Sequence, residues 1–128
     1  MTFSQAIQSV FANYKSIKGR ATRSEYWYWI LFTVIVRLLT VIPVIMMAMV
    51  TPDWSMLVPF FLAALAISLF LWLLTIAVAI RRLHDQGLNG YFYLLFLIPS
   101  IGSLIELVMM LQPSQKTVNE WGAPAVAA

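Results

Sequence analysis

The chain has 128 residues, of which 62% are hydrophobic and only 10% charged, with a formal net charge of +3 and a mean hydropathy of +0.86. A soluble domain is nearer half apolar and about a quarter charged, so the composition argues against a water-soluble fold and favours the lipid bilayer as solvent. The lack of cysteine excludes disulfides and thiolate chemistry, and a single histidine argues against a zinc site. We therefore expect one membrane domain over residues 1–128, with no metal and no cofactor.

Residues 2–17 have the pattern of an amphipathic helix. Apolar side chains recur at helical spacing, and polar ones fall largely opposite them. Thr2 and Gln5 have the spacing of a capping box, and Gly19 is expected to end the helix. The segment is too short to span a bilayer. It is predicted to lie along the membrane surface, with packing on the protein's own helices as the alternative.

Three long apolar blocks follow, at residues 26–50, 57–80 and 90–111. Each reaches the roughly 20 residues that a spanning helix needs. Thr22 and Glu25 have capping-box spacing just before the first block, which opens with a Tyr-Trp cluster typical of a membrane interface. The predicted fold is all-α and membrane-embedded, with an interfacial N-terminal helix, three transmembrane helices and a tail over residues 112–128.

The distribution of basic residues predicts the orientation. They cluster before the first block and between the second and third, whereas residues 51–56 contain one acid and no base. The positive-inside rule then places the N-terminus and residues 81–89 in the cytoplasm, and residues 51–56 and the tail outside. Trp54 and Trp121 are interpreted as anchors at the outer interface. Pro99 and Gly102 predict a kink in the third span; the alternative is a re-entrant hairpin that returns the tail to the cytoplasmic side.

Four motifs occur in order along the chain: GRATRSEYWYW at 19–29, AIRRLHDQGLNGY at 79–91, LIPSIG at 97–102 and NEWGAP at 119–124. Over residues 19–124 they resemble the bacterial inner-membrane family named domain of unknown function 805. The resemblance implies a small multi-pass protein of the bacterial plasma (inner) membrane whose activity is not established. The chain departs from the family pattern at Leu88 and Asn89, where the family usually has Arg-Ser, and at Tyr91, where it has Trp.

The stretch RRLHDQGLNG, residues 81–90, is interpreted first as a capped turn between two helices. Cations in the last turn complement the helix C-terminus, and Asp85 lies within reach of Arg81 or Arg82. Gly87 suits the left-handed position that ends a helix, and Asn89 is a good N-cap for a helix beginning at Gly90.

The same stretch suggests an anion site. If the first two spans are neighbours, five cationic side chains converge at headgroup level: Arg20, Arg23, Arg81, Arg82 and His84. They could bind lipid phosphates, but generic positive-inside anchoring explains the same residues without any pocket and is the preferred interpretation. A catalytic role for His84 is disfavoured, because adjacent side chains on a helix diverge by about 100° and Asp85 cannot orient the ring. No catalytic residue is expected.

Arg37 and Glu106 are the ionisable residues placed within the predicted spans. An arginine near mid-bilayer costs roughly 2.5–3.5 kcal/mol on insertion scales, so a partner is expected. We predict an Arg37–Glu106 pair that holds the first span against the third. The alternatives are an Arg37 side chain that snorkels outward, an oligomer contact or a polar translocation path.

These features lead to two functional hypotheses. The first is a non-enzymatic membrane component that binds a protein partner or anionic lipid headgroups at its cytoplasmic basic face. The second is a subunit of an oligomeric transporter or channel for small solutes or ions. The expected partners are membrane lipids and either further copies of the chain or another membrane protein. Nucleic acid fits poorly, because the basic face would lie flush against the bilayer.

Overall fold

A computed structural model describes residues 1–125 and is all-α, as predicted. Its elements are α1 (Phe3–Ala12), α2 (Arg23–Val50), α3 (Trp54–Asp85), a 3-10 helix (Gly90–Leu97) and α4 (Gly102–Leu111). Within the described residues the only β-type pairing is an isolated bridge between Asn119 and Gly122.

Helices α2 and α3 form a long apolar hairpin. They have 28 and 32 residues, and their most apolar windows reach mean hydropathies of 2.5 and 2.6. At about 1.5 Å per residue both exceed the roughly 30 Å of a bilayer core. Asp53 caps α3 by accepting hydrogen bonds from the Ser55 hydroxyl (2.7 Å) and amide (3.0 Å), and these bonds lower the pKa of the Asp53 carboxyl. Both helices are therefore long and apolar enough to cross a membrane.

The third apolar block is not a continuous helix. Its 3-10 helix of 8 residues and its α4 of 10 residues are separated by a turn at 98–101, in which Ser100 has a φ of 68°. Rises of about 2.0 and 1.5 Å per residue make the two pieces only about 15 Å long each, half of what a span requires. A third transmembrane helix over 90–111 is therefore not confirmed: the block folds back on itself at 98–101, which is the backbone course of the alternative, a re-entrant hairpin.

Pro99 and Gly102 give a physical reason for the break. Pro99 has no amide hydrogen to donate, so a continuous helix would lose a hydrogen bond there. Gly102 lies so close to the 3-10 helix that an added Cβ would be 2.2 Å from the carbonyl oxygen of Phe96. Its own amide donates to the carbonyl of Ile98 (2.8 Å), so the turn satisfies this backbone group internally.

The tail returns to the end of the molecule that contains residues 81–85. The amide of Gln115 donates to the carbonyl of Asp85 (2.8 Å), and the Asn119 side chain donates to the carbonyl of His84 (2.9 Å). The expectation that the tail lies on the opposite side from residues 81–89 is therefore not met. Trp121 is likewise not an anchor at the opposite end, because its ring stacks on His84. We call this end, formed by the start of α2, the end of α3 and residues 112–122, the polar end.

Helix α1 packs against α2 beside the polar end. The capping box of Thr2 and Gln5 is formed, but the helix ends at Ala12, well before Gly19. Ala6 and Val10 are fully buried. The structure thus favours packing on the protein's own helices, and a position at the membrane surface stays a prediction.

The core is concentrated in the half of the hairpin nearest the polar end. Trp29 of α2 is fully buried there, and its indole nitrogen donates to the hydroxyl of Thr75 in α3 (2.9 Å). In the other half the apolar side chains face outward; Leu39, for example, is 70% exposed. An apolar surface of this kind suits lipid rather than water.

The close approach of Gly102 to the carbonyl of Phe96 leads to a prediction about stability. Gly102→Ala should lower the free energy of unfolding by about 1–3 kcal/mol, because the clash with the Phe96 carbonyl outweighs the better helix propensity of alanine. Thermal unfolding of the purified protein in detergent measures this effect. Ser103→Ala, at the exposed neighbouring position, is the control, and equal melting of the two variants would contradict the close packing.

Candidate functional site

Five charged side chains are buried together at the polar end. Each is at most 8% exposed: Arg20, Glu25, Arg81, Arg82 and Asp85. Buried charges are tolerated only when they are paired and hydrogen-bonded, because their removal from water costs several kcal/mol per ion. The arrangement of these five residues therefore decides what this end of the molecule can do.

Asp85 is the centre of the cluster. Its Oδ1 accepts from Nε of Arg20 at 2.9 Å, and its Oδ2 accepts from Nη1 of Arg82 one helical turn earlier. One carboxylate thus joins the segment before α2 to the last turn of α3. The contact with Arg82 has the i, i+3 spacing noted in the sequence, whereas the contact with Arg20 crosses 65 positions.

A second ion pair joins the three α-helices nearest the N-terminus. Nη2 of Arg81 donates to Oε1 of Glu25 at 2.9 Å, and the same oxygen accepts from the hydroxyl of Ser9 at 3.0 Å. Thr22 caps α2 by accepting from the amide of Glu25 (3.1 Å). The carboxylate of Glu25 is instead paired with Arg81, so the reciprocal bond of the capping box, from the amide of Thr22 to the Glu25 side chain, is not formed.

The remaining donors of two arginines hold the tail. Arg20 donates to the carbonyls of Thr117 (2.8 Å) and Gln115, and Arg82 donates to the Ser114 hydroxyl (3.0 Å) and the Gln112 carbonyl. The guanidinium group suits this task because it offers five donors in a rigid plane. These contacts fix residues 112–117 against the end of α3.

The side chain of His84 is held by contacts within the chain. Its Nδ1 lies 3.2 Å from the carbonyl oxygen of Gly19, which can only accept, so this nitrogen carries the proton. The ring stacks on Trp121 with centroids 4.3 Å apart and planes inclined by 5°. The Asp85 carboxylate beside it is bound to two arginines, so it does not orient the histidine.

The turn after α3 has the geometry that its residues suggest. Gly87 has a φ of 78°, its amide donates to His84, and the amide of Leu88 donates to Leu83, which together form a Schellman motif. The side chain of Asn89 accepts from the amide of Tyr91 and caps the 3-10 helix. An added Cβ at Gly90 would lie 2.8 Å from the Ile80 side chain, so the hairpin is tight.

The expected anion site is therefore not open. Arg20, Arg81 and Arg82 are buried and paired with carboxylates of the chain itself, whereas Arg23 is exposed. His84 is covered by Trp121. The exposed basic side chains at this end include Lys15, Lys18, Arg23 and Lys116.

A groove next to the cluster was missed by the sequence interpretation. It has a volume of about 610 Å³ and lies between α3 and the 3-10 helix. Its apolar walls include Ile76, Ile80, Leu94 and Leu97, and its polar lining includes Lys18, His84, Asn89 and Trp121. No sequence pattern marked Lys18 as a binding residue, because the groove forms only where the 3-10 helix folds back along α3.

The predicted pair of Arg37 and Glu106 is not formed. Glu106 instead accepts a hydrogen bond from the Tyr26 hydroxyl, and within residues 1–125 Arg37 makes no salt bridge. Helix α4 runs back towards the polar end, so Glu106 lies beside the first turn of α2. Arg37 is eleven positions beyond Tyr26, about 16 Å along the helix. Both side chains nevertheless line one cavity of about 570 Å³.

The Asp85 cluster makes a prediction about stability. Asp85→Asn leaves two buried guanidinium groups without their countercharge and should lower the free energy of unfolding by about 3–5 kcal/mol. Asp53→Asn makes the same chemical change at an exposed cap, where asparagine works equally well, and should change stability by less than about 0.5 kcal/mol. Thermal unfolding in detergent compares them, and equal melting temperatures would contradict a stabilising role for the buried pairs.

Comparisons with known proteins agree with the motif resemblance. The family model described as protein of unknown function (DUF805) matches residues 14–123. The inner membrane protein YhaI of Escherichia coli K12 is 36% identical over 114 residues, which cover 89% of both chains. The inner membrane protein YhaH of the same organism is 34% identical over 113 residues, 88% of this chain and 89% of the relative. No solved structure matches. Neither the family description nor these names state a catalytic activity, and the chain belongs to the DUF805 family of proteins of unknown function.

Proposed function

We propose that this chain is a non-enzymatic, multi-pass protein of the bacterial inner membrane that binds an anionic lipid at its polar end. The lipid's acyl chain would occupy the groove between α3 and the 3-10 helix, and its headgroup would pair with Lys18. The observation that carries the proposal is an exposed lysine at a groove whose walls are largely apolar. The inner-membrane location is supported by the names of the relatives and by the two long apolar helices.

The free cation in this proposal is a lysine rather than an arginine. The guanidinium groups of Arg20, Arg81 and Arg82 are neutralised within the chain, so they hold the fold together. Lys18 is exposed and lies two residues before Arg20, so the cluster fixes the backbone that carries it. A lipid phosphate would thus meet a positioned ammonium group without breaking a buried ion pair.

Groove and lysine would contribute different things to binding. An acyl chain that enters the groove leaves an equally apolar bilayer, so the apolar walls would position the chain through van der Waals packing rather than through a hydrophobic gain. A lysine near an anionic surface contributes about 1 kcal/mol, which is enough to prefer an anionic headgroup over a neutral one. Trp121 and Tyr91 line the same groove and have the amphipathic rings that suit headgroup depth.

The proposed orientation places the polar end in the cytoplasm. Of the eight basic residues, all except Arg37 lie in the segments that form or adjoin this end, including Lys116 in the tail. The connector at 51–53 contains no basic residue and would lie in the periplasm. With the re-entrant hairpin, the N-terminus and the tail share the cytoplasmic side.

Transport is a weaker proposal for a single chain. Two helices in the described residues are long enough to span, and they pack directly against each other. Two packed helices cannot enclose a pore, so a channel would require several copies. A homo-oligomer without bound lipid would favour that alternative, and a stoichiometric second protein would favour partner binding.

Lipid selectivity provides a direct test. The full-length protein in a neutral detergent should bind dioleoylphosphatidylglycerol more tightly than dioleoylphosphatidylcholine, as measured by native mass spectrometry. Lys18→Gln should weaken phosphatidylglycerol binding about fivefold, which corresponds to the loss of one surface cation. Lys15→Gln removes the same charge three residues away and outside the groove, and should leave binding unchanged. Equal affinity for both lipids, or equal losses in both variants, would overturn the proposal.

The proposed orientation can be tested because the chain has no native cysteine. In intact spheroplasts, a membrane-impermeant maleimide should label Asp53→Cys and should not label Lys116→Cys. Both positions are exposed, so both should react once the membrane is opened. Labelling of both cysteines from outside would contradict the shared cytoplasmic side of the tail and the N-terminal segment.

A further inference from the structure

The second cavity follows one face of α2. Tyr26, Ile30, Thr33 and Arg37 recur at helical spacing along its wall, so it extends over about 16 Å of the helix. Its volume of about 570 Å³ is in the range of small-molecule sites. Helices α3 and α4 form its other sides, and Trp72 and Tyr93 separate it from the lipid groove because they line both.

The two ends of this cavity carry opposite charges. At the end near the polar cluster, Glu106 accepts a hydrogen bond from the hydroxyl of Tyr26. At the deep end is Arg37, fourteen residues into the 28-residue α2, halfway along the helix. Its guanidinium group has neither a salt bridge nor a side-chain hydrogen bond to any residue in 1–125. Glu106 is thus hydrogen-bonded within the chain, whereas the guanidinium group of Arg37 is not.

An unpaired guanidinium in an apolar helix is stabilised by a counterion. The planar fork of donors of a guanidinium group matches a carboxylate or phosphate group. The walls between the two ends include the indole rings of Trp27 and Trp72, which offer flat apolar surfaces. The Glu106 carboxylate at the opposite end would repel a second negative group. The cavity therefore suits a small organic molecule with one anionic end and a neutral or cationic remainder.

We infer that this cavity is a binding site for a small organic anion whose carboxylate or phosphate group pairs with Arg37. The ligand lies along α2 with its charged end deep and its remainder between the aromatic walls, pointing towards Glu106. The site is separate from the lipid groove at Lys18 and does not depend on it.

The test measures the thermal stability of the full-length protein in detergent with benzoate and, separately, with inorganic phosphate. Benzamide has the shape of benzoate without the charge, and sodium chloride keeps the ionic strength equal. A ligand that binds the folded state raises its melting temperature, here by about 5 °C near saturation for at least one of the two anions. Benzamide and sodium chloride should have no such effect.

Two variants on the same helix decide the assignment. Arg37→Gln removes an unpaired charge from the apolar part of α2, so it should fold, and it should lose the response to the anion. Arg23→Gln makes the same change at the exposed start of α2 and should keep the response, as should Lys18→Gln. The inference is overturned if neither anion stabilises the wild-type protein beyond the controls, or if Arg37→Gln responds as strongly as Arg23→Gln. If Lys18→Gln fails to weaken phosphatidylglycerol binding, only the lipid proposal is overturned, so the two proposals can fail separately.

Discussion

The structure depends on one buried carboxylate, Asp85, held between the guanidinium groups of Arg20 and Arg82. This contact joins the segment before α2 to the end of α3, and the free donors of the two arginines then bind the tail. A buried ion pair is weak evidence for stability compared with an apolar core, but removing one partner leaves an uncompensated charge. Here the contact orients three chain segments relative to one another.

The fold-back of the third apolar block also reflects the need to satisfy buried polar groups. A 3-10 helix and a short α-helix, each about half a bilayer long, descend beside the α2–α3 hairpin and return. Non-helical backbone is tolerated at membrane depth only where protein covers it or its polar groups are satisfied locally. The amide of Gly102 bonds back to Ile98, and the absence of a side chain at Gly102 lets the two pieces meet. The return places the tail where the arginines can bind its carbonyls.

Two groups of cations in this protein therefore have different physical roles. Arg20, Arg81 and Arg82 are buried, paired with Asp85 and Glu25, and unavailable to a ligand without unfolding the polar end. Lys18 and Arg37 each line a cavity and have no salt bridge within residues 1–125. Ligand binding is expected from the second group, because only an unneutralised cation gains from meeting an external anion. The two arginines of the RRLHDQGLNG stretch are consequently structural.

Local and compositional features were readable from the sequence. Its apolar blocks predicted an all-α fold and three long helices, of which two are present, because hydropathy and length are sums over neighbouring residues. The caps at Thr2, Asn89 and Gly87 likewise depend on residues a few positions apart.

The tertiary structure alone decided which charges meet. Arg20 and Asp85 are 65 positions apart, and the path of the tail depends on a turn at Ser100 that composition does not specify. Once α4 runs back towards the polar end, Glu106 bonds to Tyr26 and Arg37 is left without a partner in the described chain, because pairing at that range depends on the direction of a whole helix.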